Sequence, residues 1–264
     1  MKTITEATGL GTTSRGIVVT ANASANTKGS ATQLIASTAY EGAGVWLSMQ
    51  SNTSAAVIFL DLMIGAATES VLVPNIVMAR TNQIHQSAVF IPVRIPKGSR
   101  ISAKTQSSVG GALCYVLAQV VPTSPTFPSP YGRATAYGLT TASTTMVDVD
   151  AGASADTKGA FTEIVASTTN PIHSLIVGVC PGSDVTTAAL CYFMLDIAVG
   201  AATETVVIPN ISLFRETASD QPKPTHHGPY PVSIPAGSRI SARAQCSVNT
   251  AGDRVVQVGI WGLD

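Results

Sequence analysis

Ile95-Pro96-Lys97-Gly98-Ser99-Arg100-Ile101-Ser102-Ala103 and Ile234-Pro235-Ala236-Gly237-Ser238-Arg239-Ile240-Ser241-Ala242 are one nine-residue phrase met twice in a 264-residue chain, changed only at Lys97/Ala236. Each opens with Pro-x-Gly turn chemistry. The strand that follows alternates: Ile101, Ala103 and Thr105 against Arg100, Ser102, Lys104 and Gln106, the pattern of a half-buried β-strand with one polar face. Upstream of both phrases the same series recurs in the same order. Asn26-Thr27-Lys28-Gly29 answers to Asp156-Thr157-Lys158-Gly159, Leu60-Asp61 to Leu195-Asp196, Gly65-Ala66-Ala67-Thr68-Glu69 to Gly200-Ala201-Ala202-Thr203-Glu204, and Pro74-Asn75-Ile76 to Pro209-Asn210-Ile211.

The two series agree at 11 of 19 positions (20–38 against 150–168), 11 of 17 (60–76 against 195–211) and 13 of 18 (92–109 against 231–248). A period above 100 residues is that of a whole domain, not of a solenoid repeat of ~20–50 residues. The offset grows from 130 to 135 to 139, which places insertions near 180–184 and 220–229 of the second copy. Their Gly/Pro/Asp content predicts surface loops. The division is therefore 1–121 for the first copy, a Pro-rich linker over 122–133, and 134–264 for the second.

Gly, Pro, Ser, Thr and Asn punctuate the chain at short intervals, and no segment keeps a helical apolar period. Eight strands are predicted in the first copy, near 15–20, 32–38, 44–49, 55–63, 70–74, 88–95, 100–106 and 112–120. The fold class is all-β: two tandem homologous antiparallel β-sandwiches, of jelly-roll type in preference to the immunoglobulin-like rival. Val57–Met63 and Cys191–Ile197 are apolar in both phases, which predicts central strands covered on both faces. Pro92 and Pro231 belong at strand edges, since proline cannot donate to a ladder.

Only 11% of residues are charged, against about 25% in an ordinary globular protein. Such a chain has little with which to cover itself in water, and much of its surface is expected to meet protein. A net charge of +0 without basic runs argues against nucleic acid, and no apolar stretch reaches the ~18–20 residues of a membrane span. The polar start Met1-Lys2-Thr3-Ile4-Thr5-Glu6 does not read as a secretory signal. None of the four cysteines recurs between the copies, so free, buried thiols are expected in place of a fold-defining disulfide.

The chemistry-bearing candidates are few. Asp61 and Asp196 sit in the middle of apolar strands, where an unpaired carboxylate is costly. Their recurrence favours a structural ion pair, with Arg100 and Arg239 as first partners and Lys28 and Lys158 as the alternative. Glu69 and Glu204 follow the Gly-Ala-Ala-Thr turn and read as solvated turn residues. His226-His227, in a Pro/Gly-rich stretch, reads as a contact loop, because adjacent histidines lack metal-ligand spacing. There is no nucleophile elbow, phosphate loop, dinucleotide fingerprint or glycosidase carboxylate pair. No catalytic residue, cofactor or metal is expected.

The phrase at 95–106 and 234–245, with Gly-Ala-Ala-Thr-Glu-x-Val and Pro-Asn-Ile upstream, resembles the virion structural proteins of tailed bacteriophages across most of both copies. The resemblance implies a building or decorating role on the particle and assembly in the bacterial cytoplasm. It also implies partnership with other virion proteins and a homo-oligomer; a trimer is preferred because three such chains would present six sandwiches in a pseudo-hexameric ring. The resemblance does not fix the place on the particle: with the low charge and the duplicated sandwich, the leading expectation is capsid decoration, and the alternative is a tail, neck or fibre component that touches a receptor or glycan.

Overall fold

The computed structural model describes residues 7–8, 16–51, 56–80, 86–124, 131–182, 190–215 and 225–264. The first copy contains β1 (Ala7–Thr8), β2 (Ile17–Thr20), β3 (Thr32–Ile35), β4 (Gly42–Ser51), β5 (Ala56–Gly65), β6 (Glu69–Arg80), β7 (Gln86–Ile91), β8 (Arg100–Ser107) and β9 (Leu113–Pro122). β1 and β2 both pair with β9 and act as one interrupted first strand. One sheet runs β1/β2-β9-β4-β7 and the other β3-β8-β5-β6, with every pairing antiparallel.

The pairs nest like a long hairpin rolled up: first with last, second with seventh, third with sixth, fourth with fifth. That is the jelly roll. In an immunoglobulin-like sandwich the first two strands share a sheet, whereas here β2 and β3 lie in opposite sheets.

The second copy contains β10 (Ala134–Tyr137), β11 (Leu139–Thr140), β12 (Thr145–Asp150), β13 (Thr162–Val165), β14 (Ile172–Pro181), β15 (Cys191–Val199), β16 (Thr205–Arg215), β17 (His226–Ile234), β18 (Ile240–Cys246) and β19 (Val255–Leu263). Its sheets repeat the first copy's order. β10 and β12 pair end to end along one edge of β19, β14 pairs along its other edge, and β17 follows; the other sheet runs β13-β18-β15-β16. A short 3-10 turn at Ala251–Arg254 precedes β19. Among the described residues no helix is long and apolar enough to cross a membrane.

Local chemistry explains the recurring phrases. In the Pro-x-Gly turns, Gly98 and Gly237 take φ of 81° and 79°, a region that a side chain resists. Thr38 and Thr168 hold these turns: each hydroxyl donates to the proline carbonyl (Pro96 O at 2.8 Å, Pro235 O at 3.0 Å) and accepts from the following serine N–H. Pro74 and Asn75 together oppose Asp61, where the β5–β6 register slips between Leu60/Ile76 and Leu62/Val73. Pro209 and Asn210 do the same opposite Asp196. A bulge tolerates a proline that a regular ladder would reject. Pro231 lies in β17, an edge strand, and Pro92 directly follows β7, another edge.

Two loop expectations need correction. Cys180 and Pro181 end strand β14, paired with Gln257 and Val256, because β19 extends far enough to meet them. His226-His227 begins β17, pairing with Gly178 and Val177. The remaining inserted residues, 183–189 and 216–224, lie outside the described residues, as does 125–130 of the linker. At the linker's described ends, Thr123 N–H donates to Glu41 O at 2.9 Å, and Tyr131 O accepts from Arg94 N–H at 2.8 Å. All four cysteines are free and buried.

Candidate functional site

Asp61 lies on β5 directly opposite Lys104 of β8, and Asp196 directly opposite Arg243 of β18. Asp61 Oδ1 accepts from Lys28 Nζ at 2.8 Å and from the Asn75 backbone N–H at 2.8 Å; Lys104 Nζ stands 3.8 Å from Oδ2. In the second copy Asp196 Oδ1 accepts from Lys158 Nζ (2.8 Å) and Asn210 N–H (2.9 Å), and Oδ2 from Arg243 Nε (3.0 Å).

Asn75 and Asn210 have left-handed φ of 52° and 53°. That conformation turns their N–H groups onto the carboxylates. The lysines arrive from the Thr-Lys-Gly loops, whose backbones are tied to the second sheet by Gly29 N–H to Thr105 O and Gly159 N–H to Ala244 O, both 2.8 Å. Both aspartates are buried. Each is therefore the clasp of a β-bulge, and the recurring Lys, Asp and Pro-Asn phrases are its parts. Burial works to raise the Asp196 pKa, but the bonds from Lys158, Asn210 and Arg243 prevail and hold it below the ordinary value. Burial lowers the Lys28 pKa against the pull of Asp61.

Arg100 and Arg239 are not the partners of these aspartates. Arg100 pairs with Gly65, four residues along β5 from Asp61, which is roughly 13 Å of strand. Each arginine instead reaches the glutamate of the Gly-Ala-Ala-Thr-Glu turn. Arg100 Nε lies 3.2 Å from Glu69 Oε1, which also accepts from Ser102 Oγ at 2.6 Å. Arg239 bridges Glu204 (2.7 Å) and Glu163 (2.8 Å). Glu69 and Glu204 are thus fixed partners and not solvated turn residues.

The described residues also contain a pair that the repeat gave no means to find. Arg215, wholly buried, donates to Asp253 O at 2.6 Å and lies over the Phe193 ring at 5.7 Å. The only signal in the sequence was an arginine closing an apolar strand, Ile211-Ser212-Leu213-Phe214-Arg215.

His226 occupies a seam between the two sandwiches. The outward face of β14 and β19 (Ile176, Gly178, Trp261) packs on the outward face of β5 and β6 (Phe59, Val77), so that Ile176, Cys180 and Trp261 belong to one apolar cluster with the first copy's core. Trp261 Nε1–H donates to Pro74 O at 2.7 Å. Gln106 Nε2 donates to Thr141 O (2.7 Å) and Thr144 Oγ1 (2.9 Å). His226 Nδ1 shares a 2.9 Å hydrogen bond with Ser87 Oγ, and its ring lies 5.9 Å from that of Trp261.

The His226 ring keeps some surface exposure, but Nε2 is shut from solvent. Desolvation, aided by the neighbouring His227, lowers its pKa to about 3. His226-His227 is accordingly a contact element facing its own chain, with no metal set around it: among the described residues no three His, Cys, Asp or Glu side chains converge. An open cleft of about 480 Å³ borders the same seam, lined by Lys28, Asp61, Asn75 and Gln106 from one copy and Thr135 and Thr141 from the other. Its polar lining is largely committed to the pairs already described.

No protein-family profile matches the chain, and no curated protein sequence matches it. Among solved structures it is similar to the CBM22-1–CBM22-2 tandem domain of Paenibacillus barcinonensis Xyn10C, at 10% identity and a TM-score of 0.27, over 88% of this chain and 82% of that one. It is also similar to a triple jelly-roll protein from the turret assembly of an archaeal virus, at 12% identity and a TM-score of 0.26. That match covers 95% of this chain and 59% of the other, so the chain spans less than two thirds of the viral protein. The strand order, not these scores, assigns the jelly roll.

Proposed function

We propose that this protein is a structural component of a tailed-bacteriophage virion, made in the bacterial cytoplasm, and that it decorates and cements the capsid through protein–protein contacts. The observation that carries this reading is the deployment of its charges and apolar surface. The recurring ionisable residues Lys28, Asp61, Glu69 and Arg100, with their second-copy counterparts, are paired to one another as fold elements. Meanwhile large apolar side chains such as Trp46, Tyr192, Met194 and Phe214 face outward. Exposed apolar sheet faces on a chain with 11% charge suit broad contact with other protein better than free solution. The role is mechanical rather than catalytic, and the oligomer proposed is a trimer presenting six sandwiches in a pseudo-hexameric ring.

Particles assembled without the protein are expected to form and then fail under heat or osmotic shock. The second reading, a tail, neck or fibre component, rests on the open cleft at the seam. It predicts sturdy capsids with failed attachment. Electron microscopy of intact particles separates the two, and finding no density for the chain on any particle overturns both. Hydrolysis of a host glycan by the isolated chain, lost on changing Asp61 or Asp196, would overturn the mechanical role.

A further inference from the structure

The repeat makes each outward sheet face comparable with its counterpart, and the two copies differ in which face is covered. The repeat offset sets Trp46 against Ile176 and Ser48 against Gly178. The β4–β9 and β14–β19 registers then place Gln119 where the second copy has Trp261. In the second copy this face is closed by Phe59 and Val77 of the first. In the first copy the same face is open: Trp46 is 45% exposed and tilts against Phe90 at a ring separation of 5.2 Å. A hollow of about 240 Å³ lies beside it, lined by Trp46, Ser48, Ala88, Leu117 and Gln119.

The opposite faces show the converse. Phe59 and Val77 of β5 and β6 are 0% exposed beneath the second copy. Among the described residues their repeat neighbours on β15 and β16 have no such cover: Tyr192 is 56%, Met194 42%, Val207 36% and Phe214 36% exposed. The outward positions 205, 207, 209, 212 and 214 of β16 are Thr, Val, Pro, Ser and Phe, without a charge among them. A solvated antiparallel sheet face is normally polar.

The chain thus carries one joined pair of faces and one unjoined pair, and the unjoined pair is the same two faces by descent from the repeat. We propose that the Trp46 face of one copy of this protein docks on the Tyr192–Met194–Phe214 face of a second copy, repeating between chains the contact made within each chain. The contact is heterologous: each protomer offers one face of each kind, and successive copies add head to tail into a closed ring or an open row. It stands on the repeat geometry and does not need the virion reading.

Mixing single-face variants tests it. Trp46→Lys blocks one face, and Tyr192→Lys with Met194→Lys blocks the other; all three positions are exposed, so each variant is expected to melt like the parent. The parent should sediment as a multiple of its 27.1 kDa mass. Each variant alone should sediment as a monomer. An equimolar mixture should give a dimer and nothing larger, because only one intact face of each kind then remains. A parent that is monomeric at its highest soluble concentration overturns the proposal. So does a variant that associates like the parent, or a mixture that stays monomeric. Absence of the chain from particles would remove the virion reading and leave these outcomes untouched.

Discussion

Removing the Asp61 carboxylate takes the acceptor from the Asn75 N–H and leaves the Lys28 ammonium with neutral acceptors, Asn75 Oδ1 and the Phe59 carbonyl, in place of a counter-charge. Asp61→Ala is therefore expected to cost about 3–5 kcal/mol by urea unfolding, the range for breaking one side of a buried pair. Partial exposure of Lys28 favours the lower end. A Lys28/Asp61 double-mutant cycle isolates the pair from the bulge it clasps; an Asp61→Asn protein that melts like the parent would count against the clasp.

His226 gives the seam a pH dependence. Its folded pKa, about 3, lies below the unfolded value of 6.5, so the unfolded chain takes up the proton first. Stability is complete above about pH 6.5 and falls as pH drops toward 3, by on the order of 1.4 kcal/mol per unit. Asp196, with its lowered pKa, adds to the loss in the same direction. His226→Gln should flatten the upper part of that acid limb in melting curves recorded from pH 7 to 4. At this scale the sequence revealed that the recurring aspartates needed cations. It put Arg100 and Arg239 first, whereas its alternative, Lys28 and Lys158, makes the 2.8 Å pairs; strand register, not phrase order, sets Asp61 opposite Lys104 and leaves Arg100 beside Gly65.

Strands were the most legible element, since period-two alternation and Gly/Pro punctuation are local signals; each of the eight predicted strands of the first copy overlaps an observed one. Their pairing was less legible, because a strand count fits jelly roll and immunoglobulin-like sandwich alike. The histidine stretch misled for a related reason: Gly228 and Pro229 look like loop chemistry, yet edge strand β17 accommodates them. Two glycines test the elements separately. At Gly98 nothing lies within 4 Å of an added Cβ, so Gly98→Ala should cost only the left-handed backbone penalty, about 1–2 kcal/mol. At Gly178 an added Cβ meets the Trp261 ring at 2.5 Å. Gly178→Val should overpack the seam by about 1–3 kcal/mol, and Trp261 fluorescence would report the shift.

Across the whole molecule, the twice-apolar strands β5 and β15 carried the most information in the sequence and also the largest surprise. Both read as covered on two faces, and β5 is. On β15 the outward Tyr192 and Met194 remain open. The nested strand order has a further consequence, in time. β9 and β19 are the last strands of their copies, yet each sits inside a sheet, pairing with the opening strands on one side and β4 or β14 on the other. A chain ending at Arg254 should thus leave 134–254 unprotected in hydrogen exchange. During synthesis at roughly 5–20 residues per second, β2 waits roughly 5–20 s for β9 to leave the ribosome. Closure of such a non-local β topology takes on the order of milliseconds to seconds. Each sandwich is therefore paced by translation, its early strands standing with bare edges until the final ten residues of the copy arrive to stitch them.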